Sequence, residues 1–341
     1  MEVRRLETLD QAKSLVDCVY AVYGLTFHRP WLYDPEALLE LNRSGEIMSY
    51  IALDDGIVIG HLAAIQPYFE VSPDGQPYTA SSFREVGLSI VRPERRGQKI
   101  QAQLGFGMYG DMRTQGVAGV MTKCVTHHLK SQADALAMGG VPVALFLGSI
   151  PRWVVYGGEP GRQEQPISTL NMYIPVCGPR ERELYLPREL DWITESCSQL
   201  SAERKILRQG PIHGDTRIEA RYQPDRQHAQ VHVLEAGGDL VDALSDKIRW
   251  LVGGKMAHLT LFLPGDSPAV AQSAPEMREL GMFPAGWIPG FYQGGGDALI
   301  YQVIAYQTLD SDRVLVAEAG KKLKSEVVAA WESVRSKVVA A

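Results

Sequence analysis

Residues 91–104 read VRPERRGQKIQAQL, which sets a proline, three arginines, a glycine and a lysine between a β-like run, EVGLSIV (85–91), and a helix-like run, QAQLGFGMYGDM (101–112). Where a strand hands over to a helix through a glycine, the first helical N–H groups have no partner of their own. With cations beside them they form a seat for an anion such as a phosphate. The reading of the whole chain turns on this junction, because the elements on either side of it fall into an order.

Upstream, residues 9–23 (LDQAKSLVDCVYAVY) and 35–42 (PEALLELN) space their apolar residues at helical intervals, the second opening on a proline suited to a first turn. MSYIALDDGIVIGHLAAI (48–65) places two β-rich runs around Asp-Asp-Gly, a hairpin signal. Downstream come a helix over 101–115, a buried strand VAGVMTKCVT, a helix around 130–138 and an apolar strand VPVALFLG. The order α, α, β, β, β, α, β, α, β predicts a mixed α/β fold, one mixed sheet flanked by helices, over residues 1–176. Residues 177–215 are a connector rich in Gly, Pro and charge, with one helix predicted from Pro187 (PRELDWITESCSQLSAERKIL). Residues 216–341 then repeat β-α-β-α-β as a second, smaller lobe that closes on a helix predicted over RVLVAEAGKKLKSEVVAAWESV. ALAMGGVPVALFLGSIP (135–151) and MRELGMFPAGWIPG (277–290) share helix, Gly, strand, Ile-Pro, the mark of an internal duplication. The second lobe has HVLEAGGDL (232–240) at its strand–helix junction, with Glu235 and Asp239 where the first has cations. Carboxylates repel a phosphate, which assigns the anion seat to the first lobe alone.

Composition narrows the function. The chain has 341 residues, 45% hydrophobic and 22% charged, with net charge −6, and so lacks the basic footprint of a nucleic-acid binder. Cys18, Cys124, Cys177 and Cys197 show no metal or CxxC spacing, so no metal is expected. Neither a signal peptide nor an apolar span long enough for a membrane is expected, which points to the cytoplasm.

A strand ending V-x-P-x-x-R-G-x-x-I, leading into a helix, then a strand and a helix-Gly-strand unit, resembles the GNAT superfamily of acyl-CoA-dependent N-acyltransferases. The resemblance spans residues 1–176, with a degenerate echo over 217–308. It implies that backbone amides of an R/Q-x-x-G-x-G/A motif hold the pyrophosphate of coenzyme A. On this chain the motif falls on Arg96, Gly97, Gln98, Lys99, Ile100 and Gln101, with Lys99 where the first consensus glycine belongs and Gln101 where Gly or Ala belongs. The same resemblance implies a pantetheine arm along Ser89, Ile90 and Val91, and a contact to that arm from Ser131. The co-substrate it implies is acetyl-CoA or another acyl-CoA, and the acceptor an amine of a small molecule or peptide, acylated by direct transfer in a ternary complex.

Transfer from a thioester to an amine needs a base, and in one branch of the family a glutamate on this strand supplies it, which points to Glu85. Strand alternation would put Glu85, Gly87 and Ser89 on one face, with room for an acceptor at Gly87. Equally, Glu85 pairs with Arg84 or another cation. His127 and His128, at the end of the next strand, either relay a proton or cap the strand. The tyrosine that many family members use as general acid is absent from KSQADALAMGGV. In the family the first two helices wall the acceptor pocket, and here that segment carries Tyr23, Phe27, His28 and Trp31, which either line an apolar pocket or pack the helices. Other thioester chemistry, such as decarboxylation or transfer to a carrier protein, and non-catalytic acyl-CoA binding stay open as alternatives.

Overall fold

A computed structural model describes residues 1–25, 27, 29–65, 83–152, 165–177, 181–292, 295–305 and 309–337. The chain forms two compact units, residues 1–122 with 152–163 and residues 123–151 with 164–341. This division by packing falls inside a strand and differs from the division by element order at residue 176.

In the first unit, β1 (Glu2–Arg5) is followed by α1 (Leu9–Tyr23), α2 (Pro35–Arg43), β2 (Ile47–Asp54), β3 (Ile57–Ile65), β4 (Phe83–Val91), α3 (Ile100–Thr114) and the start of β5 (Gly119–Val125). Local chemistry sets the ends. Thr8 and Gln11 form a capping box on α1, and the Asp34 carboxylate accepts from the Glu36 and Ala37 amides at the start of α2. Asp55 and Gly56 both have positive φ, as the turn of the expected β2–β3 hairpin requires. The strand order is β1-β2-β3-β4-β5, antiparallel except for β4 and β5, which run parallel from Phe83 opposite Gly119 to Val86 opposite Thr122. A core of Leu15, Cys18, Val19, Leu32, Leu38, Ile51, Val58 and Ile90 joins α1 and α2 to the sheet.

The second unit holds the end of β5, α4 (Lys130–Ala137), β6 (Val141–Ile150), β7 (Ile167–Pro175), β8 (Arg182–Tyr185), α5 (Trp192–Ser196), α6 (Ser198–Ser201) and β9 (Arg204–Leu207). Then follow β10 (Arg217–Gln223), β11 (His228–Glu235), α7 (Leu240–Gly253), β12 (His258–Pro264), α8 (Pro268–Gln272), α9 (Ala274–Glu279), β13 (Phe283–Ile288), β14 (Ala298–Ile304) and α10 (Lys321–Val334). Its strands run β7-β6-β13-β14-β12-β11-β10. As β4 and β5 are parallel, so are β11 and β12. Strands β6 and β13 carry a register shift at the same place in their similar sequences, Pro142/Ala144 and Pro284/Gly286, and they pair with each other there, Ala144 opposite Gly286. Gly286 has φ +146, and a Cβ on it would lie 2.3 Å from the Val143 carbonyl oxygen, so only glycine allows that approach.

Two expected helices are corrected. The segment from Pro187 is not one helix: Cys197 has φ −122 and ψ +35, which breaks it into α5 and α6, and RKIL pairs instead as β9 alongside β8. The last helix begins at Lys321, because Val314 has extended backbone between two single 3-10 turns.

Charge is buried sparingly here. Arg204 and Asp297 form an ion pair at 2.5 Å with both side chains 2% exposed, and Asp297 also accepts from the Gly290 amide. Burial holds His258 down at about 4 and His232, stacked on Phe262 at 4.6 Å, down at about 3, while His228 lies well below its ordinary 6.5. A folded-state value below the unfolded 6.5 means that the unfolded chain binds more protons between the two, so stability present above pH 6.5 is lost as the pH falls. Each histidine should cost about 1.4 kcal/mol per pH unit in that window. Urea unfolding from pH 7 to 5 should therefore show a steep acid loss, and His232→Phe, which keeps the ring stack, should remove roughly a third of the slope these three histidines contribute. An unchanged slope would refute it.

Candidate active site

The expected anion seat lies where β4 meets α3. Gly97 (φ +84) and Lys99 (φ +57) both take left-handed backbone, which curls the turn so that successive N–H groups face one side. Lys99 thus stands in the conformation glycine takes most readily, at a cost of about 1–2 kcal/mol for a residue with a Cβ. It occupies the N-cap of α3 without a side-chain cap. Ile100, 2% exposed, anchors the helix start on β3, where a Cβ on Gly60 would come within 2.6 Å of its methyl.

The arginines divide into two roles. Arg92 donates to the Val58 carbonyl at 2.8 Å, and Arg95 pairs with Asp54 at 2.7 Å, so both tie the turn to the β2–β3 hairpin. Arg96 and Lys99 are exposed and have no ion-pair partner among the described residues. Two exposed cations therefore stand at the N-terminus of a 15-residue helix whose first amides receive no side-chain cap.

Beside this turn, β4 is irregular. Gly87 lies opposite Ala63 and Ile90 opposite His61, so two residues of β4, Leu88 and Ser89, oppose the single Leu62: a β-bulge, with Leu88 at φ +52. The expectation that Ser89 shares a face with Glu85 and Gly87 is corrected by this bulge. Directly opposed residues point the same way, so Ile90, opposite His61, takes the face of Glu85 and Gly87, and Ser89 is exposed elsewhere. Among the described residues the ladder of β4 with β5 ends at Val86, which leaves the outer edge of residues 87–91 without a strand. Such an edge offers N–H and C=O groups to an extended ligand with amides of its own.

On the same strand, desolvation pushes the Glu85 carboxyl up to about 7, opposed by the positive charge of Arg29. Arg29 follows α1 and lies over the Trp31 ring at 5.8 Å. Tyr23, Phe27 and Trp31 are half-buried and pack, with Leu88, against the α1–α2 core; the Tyr23 and Phe27 rings are 4.8 Å apart. Glu85, Arg29 and the aromatic residues thus gather at one face of the first unit. His28 lies outside the described residues.

His127, His128 and Ser131 belong to the second unit. The two histidine rings meet edge to face at 4.5 Å, and His128 is exposed. The Ser131 hydroxyl is buried beside the Cys124 thiol. Among those residues no group of His, Cys, Asp and Glu could hold a metal ion, and no helix is long and apolar enough to cross a membrane.

At the corresponding junction of β11 and α7 the amides of the two glycines before the helix are already used. The Gly237 amide donates to the Thr216 hydroxyl at 3.0 Å, Gly238 to the Gly214 carbonyl at 3.4 Å, and the Thr216 amide donates to Asp239 at 2.7 Å. Those bonds hold the Asp239 carboxyl below its usual range. A Cβ on Gly237 would lie 2.1 Å from the Gly214 oxygen. The chain's own backbone fills this second turn.

Sequence reasoning missed Arg29, His61 and the side-chain role of Gln101. A cation shortly after α1 was the available signal for Arg29, and the departure from the Gly or Ala of the motif was the signal at Gln101; nothing marked His61.

No family model and no curated protein matches the chain. Among solved structures it is similar to an N-acetyltransferase from Staphylococcus aureus (12% identity, 51% of this chain and 98% of that one, TM-score 0.39). It is similar also to a ribosomal-protein-alanine N-acetyltransferase from Brucella melitensis (18%, 51% and 99%, 0.38). A third is a GNAT superfamily phosphinothricin acetyltransferase from Sinorhizobium meliloti in complex with acetyl-CoA (20%, 51% and 88%, 0.37).

The two strand–helix glycines should respond differently to a Cβ. Gly97→Ala meets no atom within 4 Å and should cost only the left-handed strain, about 1–2 kcal/mol. Gly237→Ala runs into backbone and should cost about 1–3 kcal/mol or more, through displacement of the Gly214–Thr216 segment. Equal thermal midpoints, or Gly97→Ala the less stable, would contradict this.

Proposed function

We propose that the chain is an acyl-CoA-dependent N-acyltransferase, using acetyl-CoA or another acyl-CoA and acting on an amine of a small molecule or peptide. The carrying observation is the turn of residues 96–101, which among the described residues has two cations without an ion-pair partner and a helix start without a side-chain cap, at the end of a strand edge that no described strand pairs. A pyrophosphate fits the turn, and the amides of a pantetheine arm fit the edge at residues 89–91. The second lobe is read as a degenerate copy, its seat filled by Gly214–Thr216, so one acyl-CoA should bind per chain.

In the proposed reaction the amine nitrogen attacks the thioester carbonyl in a direct ternary complex. The new C–N bond forms, the C–S bond breaks, and coenzyme A leaves with the sulfur's electron pair. Glu85, with a carboxyl near 7, takes the proton the amine gives up. Tyr23, Phe27 and Trp31 would hold the apolar part of the acceptor, and Arg29 would face any carboxylate it carries.

Gly97→Asp adds bulk and negative charge at the seat and should abolish acyl-CoA binding in calorimetry; wild-type affinity in this variant would place the seat elsewhere. Glu85→Gln should lower turnover by about 100- to 10,000-fold, with acyl-CoA affinity nearly unchanged. It should also erase the acidic limb of the pH–rate profile, which in the wild type falls off below about pH 7. Full turnover with an intact limb would make Glu85 structural.

A further inference from the structure

The β4 bulge is clasped from two sides. His61 is 0% exposed on β3, with Nδ1 at 3.0 Å from the Leu88 carbonyl and Nε2 at 3.0 Å from the Ser49 hydroxyl, itself 1% exposed. A carbonyl oxygen only accepts, so the ring carries its proton on Nδ1, and Nε2 accepts from the Ser49 O–H. From the other side, the Gln101 amide nitrogen donates to two strands at once: to the His61 carbonyl at 3.1 Å and to the Ile90 carbonyl at 3.0 Å.

We propose that His61 and Gln101 are positioning residues that hold the Leu88–Ser89 bulge, and with it the strand edge that receives the acyl-CoA arm. The ligand part of this rests on the function proposed above. A bulge is one residue from regular pairing, and a slip of one residue would turn the side chains beyond it to the other face. Leu88 sits at φ +52, a conformation that persists only where its surroundings over-determine it. The His61 bond fixes the carbonyl at the centre of the bulge, and Gln101 bridges the carbonyls on either side of the strand gap. Ile90 thereby stays on the face of Glu85, Ser89 stays exposed, and the edge of β4 keeps one set of N–H and C=O groups facing outward. Gly or Ala, which the GNAT motif calls for at position 101, has no amide to make this bridge. The departure from the motif is therefore a replacement with its own function: the side chain serves the bulge while the backbone N–H remains in the anion turn.

Two readouts test this. The first is amide hydrogen exchange in the ligand-free protein at residues 87–91. Gln101→Ala and His61→Leu should speed exchange there at least tenfold, while His61→Asn, whose amide places an N–H where Nδ1–H stood, should stay within a few-fold of wild type. Unchanged exchange in Gln101→Ala overturns the clasp. The second is acyl transfer set against coenzyme A affinity. Gln101→Ala and His61→Leu should lower kcat at least tenfold and weaken coenzyme A binding, which uses the edge, while His61→Asn should restore most of both. Faster exchange with kcat and affinity both unchanged overturns the positioning role. If the wild type neither binds acyl-CoA nor transfers acyl groups, the functional reading falls together with the ligand part of this proposal, and exchange alone decides the clasp.

Discussion

Backbone amides in a strand-to-helix turn must find an acceptor, and how this chain meets that demand at two similar turns organises the rest of its structure. At β11–α7 the demand is met from within: Gly214 and Thr216 accept from Gly237 and Gly238, and Asp239 returns a bond to Thr216. At β4–α3 nothing in the described chain takes their place, and Arg96 and Lys99 add unpaired positive charge. The second turn is closed by the chain's own backbone, whereas the first is open, and the anion proposed for it would come from outside.

The surroundings of the open turn follow from keeping it in shape. Arg92 and Arg95 are used up in tying it to the β2–β3 hairpin, Ile100 seats on Gly60, and the bulge in β4 is clasped by His61 and Gln101. Lys99 accepts left-handed backbone to close the curl. Each of these costs something locally, in strain or in a desolvated polar group, and together they favour a preorganised seat over a flexible loop. A carboxyl raised by desolvation, with a cation and an aromatic cluster on its face, would serve the acyl transfer proposed above.

Much of this was legible in the sequence because it rests on residue types that report their own conformation. Asp-Asp-Gly marks a hairpin turn and Pro35 a helix start, while the glycine of RRGQK marks the left-handed turn before α3. The repeated GGVPVA and GMFPAG segments marked strands that pair at Ala144 and Gly286. What stayed hidden depends on contacts between distant residues. No residue type announces a bulge at Leu88; it exists because His61 and Gln101 hold it. The closure of the second turn comes from a segment before β10, whereas the sequence showed only the carboxylates. The break at Cys197 and the strand RKIL follow from pairing with β8, which outweighs a pattern that reads as helix. The role of Lys99 was half visible: the sequence shows a lysine in place of glycine, and only its φ shows that it has taken glycine's conformation.

The claim that one junction is open to an anion and the other closed is tested most directly by amide chemical shifts during titration with coenzyme A. The amides of residues 97–102 should move in a saturable way, while those of Gly237, Gly238 and Leu240 stay fixed. Shifts at Gly237 and Gly238, with residues 97–102 unmoved, would contradict the account.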